Sequence, residues 1–556
     1  MQNVLPAYST RTRMSPRAKW FGAFVTLTLT LSVVSLLAVG PKAVAQVAVS
    51  SSSSAAVSSS VQPAAASQSA AGAQSPCAAQ TNELLDDLLI NGTLTKKQYD
   101  ALKEHNAERC AAQEAAIKAK TKKESLYVTA SATGIGIHTG NFDVALSGEV
   151  NGFYIHNRPY NVPASDYACL LCETTDGGGT SSQVSDGIIP GWLMMTISTH
   201  QGGWDESVNF GVWASISSVN QSGPGVNFDS GASVALGNPG IDFRQQFLTV
   251  GRHNVGTFKV GRDWGMIGQE AILNDMALFG VGTVSAVGAN STTAGTPGPG
   301  EMAAGRIGSG YIYLDFMPQI TYATPDLKGF SAQAGAFQPL SDAVATTLGA
   351  TTVSAPYTGN GSPMFQFKLN YSTPAKFPVA VKLWSNYLVQ KMSANASDVT
   401  ADPSLQVGQS IKAYGMDYGG KLDVKGFSFV AYGYNGKALG TTAIFLAATS
   451  PSGVARPSHG YYVQGLYTYK KWTVGVSDGM SALLPANAQD TVSGLVRDNA
   501  LWIGQVRYRM GSWASAVAEF DHNESESSTV LTAPKSLSNT NVATSDAVAV
   551  GVIAWF

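Results

Sequence analysis

The side chains with the most chemical scope in this sequence are four cysteines, seven histidines, and acids and bases set among apolar residues. Cys169 and Cys172 form a Cys-x-x-Cys, the spacing of redox pairs and of half a zinc site. They stand among Gly and Thr with no second cysteine pair and no histidine close by, which favours a small loop clasp over either chemistry. No metal site and no cofactor are expected. The phosphate-binding loop, His-Glu-x-x-His and Gly-x-Ser-x-Gly are all missing, and Gly134, Gly136 and Gly140 miss the dinucleotide spacing and open no helix. A serine hydrolase would need a His and a Ser on adjacent strands at one height, and His200, His253 and His522 offer no such partner. The bases show a clearer order. Gln366, Lys368 and Asn370 alternate with Phe365, Phe367, Leu369 and Tyr371, Lys382 alternates with Val381 and Leu383, and Gln505, Arg507 and Arg509 alternate with Val506 and Tyr508. Each cation sits on the polar face of a two-faced segment.

Two-faced segments are half-buried strands, because side chains alternate with period two. They recur from Asp143 onward, then at 191–200, 207–217, 241–251, 257–263, 310–322, 330–338, 364–372, 379–391, 411–424, 427–434, 460–469, 472–481, 500–510, 513–521 and 545–556, which makes sixteen. Long and short connections alternate between them, from the long 159–190 and the tight Gln201-Gly202-Gly203 to Lys470-Lys471 and Gly511-Ser512. In 545–556 one face is wholly apolar, with Val548, Val550, Val552, Ala554 and Phe556, while Ala547, Ala549 and Gly551 make a small-residue face. A lipid-facing strand needs such a face, and a spanning sheet must close so that no backbone group is left unpaired. The expected fold is all-β: a 16-stranded antiparallel transmembrane β-barrel with a short α-helical N-terminal extension. A soluble multi-sandwich adhesin has many strands too, but it predicts no regular long and short alternation.

Composition agrees. Charged residues are 13% of the chain, about half of the roughly 25% of soluble domains. Residues 1–45 read as a signal peptide, with Arg11, Arg13, Arg17 and Lys19 before the apolar run 20–40 and Ala43-Val44-Ala45 as cleavage site. The alternative is an uncleaved anchor. Removing the five basic residues of this segment takes the formal charge from −2 to −7, which disfavours nucleic acid as a partner. Residues 46–76 form a Ser/Ala-rich flexible spacer without charge. Residues 77–125 read as a helical hairpin turning at Asn91-Gly92, with Thr95 and Gln98 as a capping box, which sets Cys77 opposite Cys110 for a disulfide. A disordered stalk with two idle thiols is the alternative. Residues 126–142 are an extended lead-in that leaves room for an extra strand, and 143–556 is the barrel.

Three stretches resemble a known family. The terminal strand resembles the closing strand of bacterial outer-membrane proteins, whose assembly signal ends in Phe, here Phe556. Residues 256–265 (GTFKVGRDWG) resemble the strand-to-loop junction of proteobacterial trimeric porins, and the helical segment resembles the periplasmic extension of DcaP-like porins. The resemblance implies an outer-membrane homotrimer in contact with membrane lipid, its extension in the periplasm, passing small hydrophilic solutes and ions through a water-filled barrel. It implies that the long loop 264–306 folds inward, so that Asp263, Glu270 and Asp275 face Lys368, Lys382, Arg507, Arg509 and Arg262 across the narrowest point, a field that orients dipolar solutes. The direction of Arg262 depends on whether Gly261 sits in a bulge, and Arg244, Arg252 and Arg306 share that question. A channel specific for anions such as carboxylates or phosphate, a barrel hydrolase and a surface adhesin remain open as other readings.

Overall fold

The strand pattern takes shape in a computed structural model that describes a few residues between 85 and 91 and then 94–556, with gaps, the longest at 162–180, 217–240, 283–305, 342–356 and 528–541. The signal and spacer expectations, and Cys77, Cys169 and Cys172, lie outside the described residues. All described residues belong to one unit of the chain, Ser54–Phe556.

Among the described residues nineteen strands follow one another: β1 (Tyr127–Ser131), β2 (Gly134–Thr139), β3 (Phe142–Asn161), β4 (Ser181–Ser185), β5 (Gly191–Gln201), β6 (Trp204–Ala214), β7 (Ile241–Arg252), β8 (Gly256–Trp264), β9 (Phe316–Ala323), β10 (Phe330–Phe337), β11 (Met364–Ser372), β12 (Ala380–Ser393), β13 (Ser410–Val424), β14 (Phe427–Lys437), β15 (Pro457–Tyr469), β16 (Trp472–Leu483), β17 (Val496–Arg509), β18 (Ala514–Ser527) and β19 (Val542–Trp555). Sixteen of them, β3 and β5 to β19, form an antiparallel meander, and β19 closes it by pairing with β3 from Thr544↔Asn161 to Trp555↔Glu149. Phe556 finishes the seam, exchanging backbone hydrogen bonds with Gly148 at 2.8 and 3.0 Å. The lead-in is two short strands: β1 pairs with β2, and β2 runs along β3 just beyond the end of β19. The short β4 pairs with the outer half of β3, above β5.

The two faces are sorted as a bilayer demands. On β19, Val548, Val550 and Val552 lie exposed on the outer face while Ala547, Ala549 and Ile553 are buried inside. At the short-turn rim the outer face carries cross-strand aromatic pairs: Phe258 and Tyr322 at 4.9 Å, Phe330 and Tyr371 at 4.5 Å, Phe427 and Tyr467 at 4.5 Å, and Trp472 and Tyr508 at 4.6 Å. Amphipathic rings belong at a membrane–water boundary, so these mark one edge of the apolar band. The short turns use the conformations that match strand twist. Lys425 and Gly426 take φ of 47° and 85°, the pair of positive angles a two-residue hairpin requires.

Before the barrel, α1 (Lys96–Glu124) starts at the Thr95–Gln98 box, in which the Thr95 N–H donates to Gln98 Oε1 at 3.0 Å and the Gln98 N–H to Thr95 Oγ1 at 3.4 Å. Tyr99 on α1 donates to Asp86 and accepts from Lys103 Nζ at 2.6 Å. Cys110 is buried and disulfide-bonded.

One strand differs from expectation. β9 starts at Phe316 rather than near 310, because Arg306, Ser309, Tyr311 and Tyr313 leave the wall and are buried in the interior.

Candidate functional site

Past Trp264 the chain turns into the barrel. Gly268, at φ 75°, lets it reverse into the single-turn α2 (Gln269–Asn274), and a 3₁₀ turn follows at Met276–Phe279. Elements this short leave most of their backbone groups without partners of their own. The barrel wall supplies them. Gln366 on β11 accepts from the N–H groups of Met266 and Ile267 at 2.7 and 3.0 Å, and Asp417 on β13 accepts from Gly268. On β15, Gln464 accepts from Met276 at 2.6 Å and donates to Asn274 O at 3.0 Å, while Tyr462 donates to Ala271 O at 2.7 Å. On β17, Gln505 donates to Met276 O at 3.1 Å, and on β18 Glu519 accepts from Val281 and Gly282 at 2.7 and 2.6 Å. The loop is therefore stitched to the inner wall from β11 round to β18. Its apolar side chains, among them Met266, Ile267 and Ile272, join a buried cluster with Tyr311, Leu388 and Tyr432, so this half of the barrel is filled by protein.

The charges follow from that placement. Glu270, 3% exposed, lies between Lys368 Nζ at 2.6 Å and Lys382 Nζ at 2.5 Å. Burial pushes its carboxyl up, but the two ammonium groups, Lys368 above all, outweigh that and hold it below the ordinary glutamate value. Asp275 caps the 3₁₀ turn by accepting from Ala277 N at 3.0 Å, and its other oxygen is 3.5 Å from Arg306 Nε. There burial wins over Arg306 and raises the carboxyl. Arg306 is fully buried and also donates to Ser477.

Of the residues that the sequence proposed for a constriction, the structure brings together Glu270, Lys368 and Lys382. They touch instead of facing each other across water, because the apolar side of the loop seats it against the very wall that carries the lysines. Asp275 pairs within its own loop. Asp263 stays on β8, accepting from Gln245 Nε2 at 2.8 Å and pairing with Lys259. Arg507 points inward with its guanidinium 4.4 Å from the Phe279 ring centre, and Arg509 shares its parity near the short turn. Arg262 is not brought to the constriction. It is register partner to Gln246 and Pro318 and alternates with buried Asp263, which puts it on the outer face. Arg244 lies inside, 5.0 Å from the Trp213 ring centre.

The wall residues Asp417, Gln464 and Glu519, which hold the loop in place, are positions that sequence reasoning passed over. The available signal was parity: each occupies an inward position on its strand. At the short-turn end, a cavity of about 550 Å³ has a largely neutral, polar lining that carries the acids Asp143, Asp205, Glu206 and Asp326 beside Arg252 and His253. A His and a Ser do meet on adjacent strands at one height: His156 Nδ1 and Ser182 Oγ are 2.9 Å apart on β3 and β4, exposed at the long-loop end beside Tyr154.

A family model described as Gram-negative porin matches residues 125–532. No curated protein matches the chain. Among solved structures the chain is similar to the outer-membrane channel DcaP of Acinetobacter baumannii, at 12% identity over 76% of this chain and 100% of that one, with a TM-score of 0.49. It is similar to an anion-selective porin from Comamonas acidovorans at 13% identity over 75% of this chain and 100% of that one, TM-score 0.44, and to Salmonella typhi OmpF at 13% identity over 76% and 100%, TM-score 0.44.

Proposed function

The chain belongs to the Gram-negative porin family, and on that premise we propose that it is a weakly selective general channel whose constriction charges are largely neutralised where they stand. The protein is an outer-membrane β-barrel that lets small hydrophilic solutes and ions diffuse passively. What carries the finer reading is Glu270 seated between Lys368 and Lys382. An acid in contact with its counter-charges projects a weaker field into the lumen than one held across water. Opposite the filled half, the inward positions of β5 to β10 include Thr196, Ser207, Asn209, Thr249, Gln319 and Gln333, neutral hydrogen-bonding groups suited to hydrated solutes, beside the charged Asp205, Arg244 and the paired Lys259 and Asp263. Asp263, Asp275, Arg507 and Arg509 then tune the route around the constriction.

Planar-bilayer recording of the refolded protein under a salt gradient tests this. The expected result is stable openings with a small reversal potential. A large potential of either sign would replace the general channel with an ion-specific one. The anion-specific reading has an observation of its own, the inward lysines of β11, β12 and β13: Lys368, Lys382 and Lys421.

The assembly we infer is a homotrimer, read out as openings in groups of three. Gln246 and Arg262 support a partner protomer, because they interrupt the apolar outer face of β7 and β8. Residues 1–45 fit an export signal, 46–76 a spacer and 77–125 a periplasmic extension. The hydrolase reading has only the His156–Ser182 contact, made through Nδ1, the nitrogen that a triad gives to its acid. It does not displace the channel.

A further inference from the structure

At the long-loop end of the lumen, three inward side chains are buried with unsatisfied polar atoms. Asn157 on β3 and Asp521 and Asn523 on β18 are 1%, 1% and 6% exposed. Both polar atoms of the Asn157 amide, both carboxylate oxygens of Asp521 and the amide oxygen of Asn523 lack a hydrogen-bond partner. Register gathers them in one place. Asp521 is opposite Ala547 on β19, and Ala547 is opposite Asn157 on β3. The acid and the amide therefore flank a single methyl group, on a closed wall whose inward curvature turns such neighbours toward each other. Asn523 is the next inward residue on β18, opposite Ser545.

Buried polar atoms without partners are uncommon, and a carboxylate is the hardest to leave bare. The cation whose charge reaches Asp521 is Arg306. Glu519, two residues before on the same face, is another acid, close enough to Asp521 to share a proton with it, and its oxygens already accept from Val281 N, Gly282 N and Gln505. Arg306 is committed to Asp275 and Ser477. The surplus is negative charge and oxygen acceptors, a set suited to a hard cation. Calcium takes carboxylate and amide carbonyl oxygens at about 2.3–2.6 Å and completes its shell with water. Among the described residues no three His, Cys, Asp or Glu side chains gather as metal ligands, so amide oxygens must share the coordination.

We propose that Asp521, Asn523 and Asn157 bind a calcium-class divalent cation at the external end of the lumen, bridging β18 to β3 across β19. The β19–β3 pair is the seam that closes the barrel, so the ion fastens the seam beside the strand on which Glu519 holds the constriction loop.

The test uses full-length protein refolded from denaturant in detergent, free of bacterial lipid, stripped with EDTA and titrated with calcium chloride by isothermal calorimetry. Thermal unfolding with and without calcium is recorded alongside. The expected result is one calcium per protomer, with a dissociation constant of about 10⁻⁴–10⁻³ M as in extracellular modules, and a higher unfolding temperature when it is bound. Asp521→Asn should weaken binding at least tenfold and abolish the thermal shift. Asp546→Asn, on the outer face of β19 beside His522, should leave both unchanged. Should Asp521→Asn fail to fold, the pair Asn157→Ala and Asn523→Ala, which alters no charge, is expected to give the same loss. No stoichiometric uptake by the wild type up to about 10 mM, or equal uptake by wild type and variants, overturns the proposal. Equal stability of wild type and Asp521→Asn with no calcium response in either does so too, and assigns a proton to the carboxyl.

Discussion

Lys382 and Lys421 are register partners on β12 and β13, both on the inner face. Like charges directly opposite on a sheet cost stability. This pair is tolerated because each lysine has its own acid, Glu270 for Lys382 at 2.5 Å and Asp423 for Lys421 at 3.7 Å. Lys368, which is buried, shares Glu270 and hydrogen-bonds Gln269 Oε1 at 2.6 Å. Three wall cations thus depend on two acids, and one of those acids is carried by the loop.

Replacing that acid tests the balance. Glu270→Gln keeps the shape and removes the charge, leaving Lys368 and Lys382 to repel each other. Anion permeability relative to cation should rise a few-fold, the scale of one lumen charge at an effective dielectric near 20 after screening by salt. The reversal potential in a salt gradient reads it out. An unchanged potential would mean that the Glu270 field does not reach the permeating ion.

The same acid sets an acid limit for the loop. The Glu270 carboxyl titrates below its ordinary value of 4.5 in the folded protein, so its stabilising contribution is complete above that value and is lost as pH falls through the depressed one. Asp275 works in the opposite sense. Its carboxyl is raised, so its contribution is fullest at low pH and is lost as pH rises through the raised value. Single-channel noise and thermal stability of the wild type should worsen below pH 4.5, and Glu270→Gln should lose that acid limb. An identical acid limb in the variant would assign it to other carboxylates.

The sixteen strands were legible because each carries a period-two signal of its own, and β19 with Val548, Val550 and Val552 against Ala547 and Ala549 is the clearest. The inward parity of Gln366, Lys368, Asn386 and Gln505 could be read in the same way. What could not be read was contact. Whether Glu270 faces Lys368 across water or touches it depends on where the loop lies, and that is decided by Gln366, Asp417, Gln464 and Glu519, which are separated from it by about 100 to 240 residues of chain. Arg262 was hidden by Gly261, because a glycine within a strand suits either a bulge or continuous pairing, and only the unbroken register with β7 and β9 shows which. The His156–Ser182 contact was invisible for another reason: β4 is five residues long and carries no periodic signal.

Gly280 tests whether the loop must lie flat against β18. Its φ of −151° suits any residue, so a substitution there acts through space alone. A side chain at this point would overlap the Glu519 carboxylate and crowd Gln505 Nε2. Gly280→Val should lift residues 279–282 from the wall, cost Glu519 its two backbone donors and open the channel. Larger, noisier conductance steps are expected with the barrel still folded by circular dichroism. Unaltered steps would show that the loop can shift without affecting the constriction.

The outer mouth rests on a buried ion pair. Arg456 and Asp490, their side chains each 1% exposed, make two parallel bonds of 2.8 Å, with Arg456 Nη1 also donating to Ala447 O at 3.0 Å and Asp490 accepting from Ala486 N at 2.8 Å. The pair joins the connection before β15 to the one after β16. Removing one partner from a buried pair strands a charge, at about 3–5 kcal/mol, whereas replacing both with apolar residues of similar size is often close to neutral. Asp490→Asn and Arg456→Met should each expose these connections to limited proteolysis, and the double variant Arg456→Met/Asp490→Leu should be less sensitive than either single one. A double variant that is cleaved faster than both would show that the bonds to Ala447 and Ala486, rather than the charge pairing, hold the mouth together.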